Sequence, residues 1–354
     1  MKQLNRIFIA SSVIALVACS DTAVNPDQLL INSMNNQFIK PTYHEFTLQT
    51  ESLAKSTENW TCDAGISEQQ QADIQAQWQN TMNAWQAAKA IHFGPVTDER
   101  IDWKLQFWPD KKNLVASKTL GLFKQEITEE NLQGASVVTQ GISALEYLLY
   151  DERFSELSNQ PELRTKHCQL TKLVAQNIQT NAVKIESSWT SYEPSFIGDG
   201  SETWNADTSI GNIFDSVLLT LEEVANQKIG SPIGSTNNYT QANFYFLESW
   251  RSKHSAENIQ ASLSAVLNLF NNGGLKNYLS EKGMPQLSQE IALGLEEAIN
   301  LTHNLDKPLA EHLSEQAEEL KQIQQRVNAV KTLIKNKVVT NLELPIGFND
   351  NDGD

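Results

Sequence analysis

The sequence has little of what most enzyme active sites are built from. Its 354 residues hold three cysteines and six histidines, and His44, His92, His167, His254, His303 and His312 are scattered singly. No H-E-x-x-H zinc pair forms, because His44-Glu45 is followed by Phe46-Thr47-Leu48. A G-x-S-x-G nucleophile elbow and a glycine-rich phosphate loop are both missing, and no C-x-x-C pair occurs. Basic residues are few: 27 Lys and Arg stand against 43 Asp and Glu, for a formal charge of −16. With no basic stripe to offset that charge, the chain repels phosphate backbones, and nucleic acid is excluded as a partner. No internal apolar run reaches membrane-span length. Alternating strand patterns are nearly absent as well, which leaves helices to build the core.

What is present begins with an address. Lys2 and Arg6 precede the apolar run from Ile7 to Ala18, which meets Cys19. A short positive region, a hydrophobic region too short to span and a small-residue end make a secretory leader. Leu16-Val17-Ala18-Cys19 resembles the bacterial lipobox, in which the cysteine becomes the lipidated first residue of the mature chain. That resemblance implies a periplasmic lipoprotein held through a lipid on Cys19, and Ser20 at the next position implies the outer membrane. An ordinary secretory signal is the competing reading. Export makes Cys62 and Cys168 an even pair in an oxidising compartment, so a disulfide is expected, with two buried free thiols as the alternative.

Residues 1–18 are thus the leader and 19–28 a polar tether. A helical region runs from Leu29 to about Asn59, interrupted by Pro41. Ser67 caps a helix with Ile74, Trp78, Trp85, Ala88 and Ile91 on one face. The segment Arg100–Lys112, dense in aromatics and charges, reads as an ordered connection with a short helix. Thr128-Glu129-Glu130 starts the run to Asp151, and another helix follows from Leu163 to Trp189. The polar, glycine-rich interval from Ser191 to Asn205 marks a boundary. Beyond it Asp207 caps a helix, Phe244, Leu247 and Trp250 lie on another, Ser255 caps the next, and a long last helix runs from Leu309 to Ile334. The expected fold is all-α: two packed four-helix-type bundles, 29–200 and 201–354, the second ending in a polar tail.

The densest chemistry lies in Gly141–Asp151. Val138, Ile142, Leu145 and Leu149 recur at helical spacing and call for a core, while Thr139, Ser143, Glu146 and Tyr150 form a polar stripe beside them. A carboxylate, hydroxyls and a phenol at the edge of a buried face suggest a groove. These residues also carry a resemblance. The chain resembles the imelysin family, exported all-helical bacterial proteins classed with M75 peptidases and tied to iron uptake. The family's G-x-H-x-x-E motif reads Gly141-Ile142-Ser143-Ala144-Leu145-Glu146 here. Phe93-Gly94-Pro95, Phe107-Trp108-Pro109-Asp110, Trp250-Arg251-Ser252 and the ending Gly347-Phe348-Asn349 match as well. Ser143 stands where the motif has histidine, and a serine hydroxyl is a poor metal ligand that hardly titrates near neutral pH.

The first reading is therefore a non-catalytic, periplasm-facing lipoprotein that binds a small ligand, metal or partner during iron or other metal acquisition. Glu146 would be its anionic group, Ser143 and Tyr150 hydrogen-bond donors, and Arg251 the charge partner that a buried Glu146 needs. An equal alternative has Trp250 in the core with Arg251 capping a neighbouring helix. For Trp108-Pro109-Asp110 a structural turn is expected. The resemblance implies iron or another divalent metal as cation and metal-uptake components as partners; which ligand binds stays open. A second reading is a metallopeptidase with Glu146 as metal ligand, joined by His92 or His254. The third is a purely structural lipoprotein, in which Gly141–Asp151 packs shut and Glu146 is paired on the surface.

Overall fold

The computed structural model describes residues 25–155, 160–198, 204–236, 238–315 and 317–344. The leader 1–18, Cys19, most of the tether and the tail from Gly347 lie outside the described residues. What is described is all-α. Among these residues extended pairing is limited to one isolated bridge, Thr236 with Tyr239, and no helix is long and apolar enough to cross a membrane.

Helix Lys40–Glu58 packs on Glu68–Lys89 and on Pro161–Ile197, the longest helix, and Ile142–Tyr150 lies against the latter two. In the second half, Ser255–Asn271, Pro285–His303 and Ala317–Leu333 pack in succession. The halves meet where Ser255–Asn271 crosses Glu68–Lys89, and the first helix, Pro26–Ser33, rests on Ala206–Glu222 and Leu275–Glu281. One continuous core results, with Trp78, Trp85, Trp189, Phe46 and Phe214 fully buried.

Local sequence explains most boundaries. Ser67 forms a capping box: its side chain accepts from the Gln70 amide while the Gln70 side chain accepts from the Ser67 amide. Gly94, at φ 71°, turns the chain at the end of the same helix, under the rings of Tyr192 and Trp189. Cys62 and Cys168 are joined in a disulfide, with Cα atoms 5.4 Å apart.

Several expectations need correction. Pro41 does not interrupt the first helical region. A π-helical stretch, Met34–Ile39, precedes it, and that wider turn accommodates the ring and the missing amide within a continuous helical run. The same device, Glu223–Gly230, precedes Pro232. Helix Pro161–Ile197 continues through Pro194 well past Ser191, because Phe196 still finds a buried place against Phe93 and Trp189. Asn205, not Asp207, caps Ala206–Glu222, with its side chain accepting from the Asp207 amide. Ser255 is the first residue of its helix rather than its cap. Most consequential for the site, Phe244–Trp250 is not a helix. It is a 3-10 turn, Phe244–Phe246, followed by tight turns with Ser249 at φ 54° and Lys253 at φ 59°.

Candidate functional site

The motif helix starts later than the periodicity suggests. Val138 and Thr139 sit in a separate 3-10 turn, Val137–Thr139, and Gly141 is extended before helix Ile142–Tyr150 begins. The reason is close approach. A Cβ on Gly141 would lie 2.2 Å from the Leu105 carbonyl oxygen and 2.4 Å from that of Lys104, so only glycine lets the short helix Ile101–Leu105 dock there. The docking delivers Gln106, Phe107 and Trp108 alongside the motif. Ser143 fastens them, its hydroxyl donating to the Phe107 carbonyl at 3.2 Å. After the cis Trp108-Pro109 bond, the Asp110 carboxylate accepts from the amides of Leu114 and Val115 at 2.7 and 2.9 Å, at the start of helix Leu114–Leu122. Asp110 is spent on that helix end.

The 243–254 strap faces this wall, and between them lies a cleft of about 590 Å³ lined by Ser143, Glu146, Phe107, Trp108, Trp250 and Arg251 among others. Glu146 is only 6% exposed. Its Oε1 accepts from both the backbone amide and the hydroxyl of Ser252, each at 2.9 Å. Burial pushes its carboxyl above the usual range, against the opposing pull of the Ser252 bonds and of Arg251. Ser252 is thus the direct partner of Glu146, and Arg251 is engaged elsewhere. Its Nε pairs with Asp151 at 3.1 Å, one Nη donates to Asn113 at 3.0 Å, and its guanidinium lies 4.2 Å from the Trp250 ring centroid and 5.1 Å from that of Tyr147. Arg153 takes the other oxygen of Asp151 at 2.7 Å. Burial alone would raise the Asp151 carboxyl, but the two arginines hold it below its usual range.

Tyr150 does not join the cleft lining; its hydroxyl donates to the Gln75 carbonyl at 3.3 Å, and its ring packs edge-on against Trp78. His92 and His254 do not line it either. The ring of His92 meets Thr220 at 3.2 Å, and that of His254 meets Asn83 at 2.9 Å. Burial holds His92 down at about 4.

A second polar group was invisible in the motif reading. Lys228 and Glu248, each 2% exposed, pair at 2.5 Å. Lys228 also donates to Gln86 at 2.7 Å and lies 3.5 Å from Glu223, which pairs with Lys89 at 2.6 Å. Gln86 and Gln106 both donate to Glu248, and Trp85 donates to Gln106. Burial works against the Glu223 charge, but Lys89 and Lys228 outweigh it and hold its carboxyl at about 2. Both lysines stand 5.6 Å from the Trp108 ring centroid. Beyond that ring is a second cavity, of about 690 Å³, which shares Gln106 and Trp108 with the first. A signal for Lys228 did exist: it falls four residues after Val224 and next to Ile229, on an apolar helical face.

The donors near Glu146 do not suit a transition metal. They are serine hydroxyls and a backbone amide, and among the described residues no group of three or more His, Cys, Asp or Glu could hold a metal ion. A serine nucleophile is equally unsupported. Ser143 donates to a carbonyl, and Ser252, outside the cleft lining, shares its one proton between Glu146 and the Ser249 carbonyl.

The G-x-S-x-x-E helix, braced against an aromatic connection and a turn-rich strap, makes this an all-α scaffold with a cleft at its motif. The family model for imelysin, peptidase M75, matches residues 39–336, and the chain belongs to that family. Among solved structures, an imelysin-like protein from Psychrobacter arcticum 273-4 is similar at a TM-score of 0.79 and 20% identity, over 91% of this chain and 97% of that one. A "putative iron-regulated protein A precursor" from Parabacteroides distasonis ATCC 8503 is similar at a TM-score of 0.73 and 16% identity, over 90% and 95%. No curated protein matches the sequence.

Proposed function

We propose that this protein is a non-catalytic imelysin-family lipoprotein, exported to the periplasmic face of the outer membrane through Cys19, that binds a small ligand in the Glu146 cleft in connection with metal acquisition. The observation that carries this reading is the cleft itself: about 590 Å³ of space stays open beside Ser143, Glu146, Asp151 and Arg251, each held in place by a bond to the protein. Engaged groups are fixed in place, and fixed groups around an open volume make a preorganised site. Ser143 at the motif's histidine position, and the lack of a neighbouring imidazole for Glu146, weigh against peptidase chemistry. The iron connection is supported by the family and by the name of the Parabacteroides protein. Burial of Glu146 counts against the purely structural reading, which places it on the surface.

The test is metal analysis and proteolysis assay of the purified protein, together with a small-molecule thermal-shift screen. The expected result is no stoichiometric zinc or iron, no cleavage of an unfolded protein substrate, and a ligand whose stabilisation is lost in Ser143→Trp, which fills the cleft. Tightly held metal that is lost in Glu146→Ala would replace the small-ligand reading with a metal site, and cleavage of the substrate would overturn the non-catalytic reading. Export and anchoring are checked by labelling cells with a fatty acid: the label is expected on the wild type and absent from Cys19→Ala.

A further inference from the structure

The cleft lining is electrically unlike the rest of the molecule. The whole chain carries a formal charge of −16, yet Lys111, Lys112, Arg153 and Arg251 gather at this one opening. Four carboxylates line it too, but three are committed elsewhere. Asp110 caps a helix, Glu248 is matched by Lys228, and Glu146 is held by Ser252. Among the four, Asp151 is the one that ion-pairs with these cations in the described residues, and it serves two arginines at once. Neither lysine has a carboxylate contact among the described residues; Lys111 lies over the Tyr239 ring, 5.3 Å from its centroid, which leaves its charge unneutralised.

Asp151 also orients what it pairs with. A guanidinium has five N–H donors, and the contacts described for Arg251 use two. The Trp250 and Tyr147 rings lie close to the guanidinium, 4.2 and 5.1 Å from their centroids, and with Asp151 and Asn113 they restrict where the remaining donors can turn. Beside this lies a wall of Phe107, Trp108, Phe246 and Trp250, with Tyr245, 58% exposed, at the edge. An unsaturated, oriented arginine takes a planar oxyanion in bidentate fashion. The aromatic wall takes a flat organic body, and the volume suits a molecule larger than an inorganic ion.

We infer that the cleft binds a small organic carboxylate, its charge received by Arg251 and Arg153 beside Lys111 and Lys112 and its flat body lying against the aromatic wall. This rests on the cleft being a ligand site. The experiment is a saturation-transfer NMR titration of the purified full chain with benzoate, benzamide and inorganic phosphate. Benzoate is expected to bind saturably and benzamide, the same ring without the charge, about tenfold more weakly, as befits loss of one charge-assisted contact. Phosphate should displace benzoate poorly. The exposed pair Lys111→Gln with Lys112→Gln should weaken benzoate about tenfold at unchanged melting temperature, and Arg251→Gln should weaken it further. Equal binding of benzamide and benzoate, both blocked in Ser143→Trp, would sink the carboxylate assignment while the cleft stands as a site. Displacement by phosphate as readily as by free benzoate would show a bare anion site and overturn the organic ligand. No binding by any probe would overturn both readings.

Discussion

Two groups of charges lie within one side chain's reach of each other, and they are built on opposite rules. Around Lys228, two lysines meet two carboxylates, and the carboxamides of Gln86 and Gln106 take up the remaining bonds. Around Arg251, two arginines share one carboxylate. The first group is balanced, with Lys228 and Glu248 at its centre nearly sealed from solvent, and it joins Gln86 and Lys89 of one half to Glu223, Lys228 and Glu248 of the other. The second is unbalanced and open to a cavity. Equal numbers of charge make a fastening between the halves, whereas two cations on one carboxylate leave the local surplus on which the proposed carboxylate site rests.

The largest expected effect comes from unbalancing the sealed group. Lys228→Ala leaves Glu248 buried without its cation, and should cost about 3–5 kcal/mol in denaturant unfolding. Adding Glu248→Gln should recover part of that loss, and a cost below about 1 kcal/mol for the single change would show that water reaches the group. Next, Gly141→Ala forces a Cβ onto the Leu105 carbonyl. It should cost about 1–3 kcal/mol and, by shifting Phe107 and Trp108, weaken any cleft ligand. An unchanged melting temperature would mean that Ile101–Leu105 is free to move away.

Glu146 offers a test by pH. Burial raises its carboxyl in the folded state, so folding favours its protonated form. Its contribution is full below the unfolded carboxylate value and falls as pH rises through the higher folded value. Glu146→Gln keeps an acceptor for Ser252 and removes the charge. It should flatten that decline and raise stability at neutral pH, measured by melts across the pH range. A variant that follows the wild-type profile would place the decline in another group. The smallest effect belongs to the open group: Arg153, 47% exposed, should change stability by less than about 0.5 kcal/mol on replacement by Gln. Its loss should register in ligand affinity instead.

The comparison also shows what the sequence could reveal. Helices whose apolar residues recur at 3.6-residue spacing, such as those holding Trp78 and Trp85 or Ile178 and Ile185, were legible because burial imposes that period. The disulfide was legible from parity and from the oxidising compartment that the expected leader implied. Ser143 and Glu146 were legible as a polar stripe beside an apolar one, and both line the cleft. Glu146's partner was not, because Ser252 reaches it from 106 residues away through a turn that no periodicity announces. Phe244, Leu247 and Trp250 recur every three residues and mimic a helix stripe, yet Phe244 and Tyr245 are exposed and pack with Trp250 in a local aromatic trio. Tyr150 failed for the converse reason. On the right stripe by rotation, it is one turn too far along the axis and meets Gln75 instead.

Trp108 has a consequence of another kind. Its indole, with the Gln106 side chain, is the lining that the two cavities hold in common. The lysines near its ring hold it from the sealed side, and the Asp110 cap anchors the chain two residues on. A change of rotamer at Trp108 would therefore reshape both cavities at once, independently of the helices that form their outer walls.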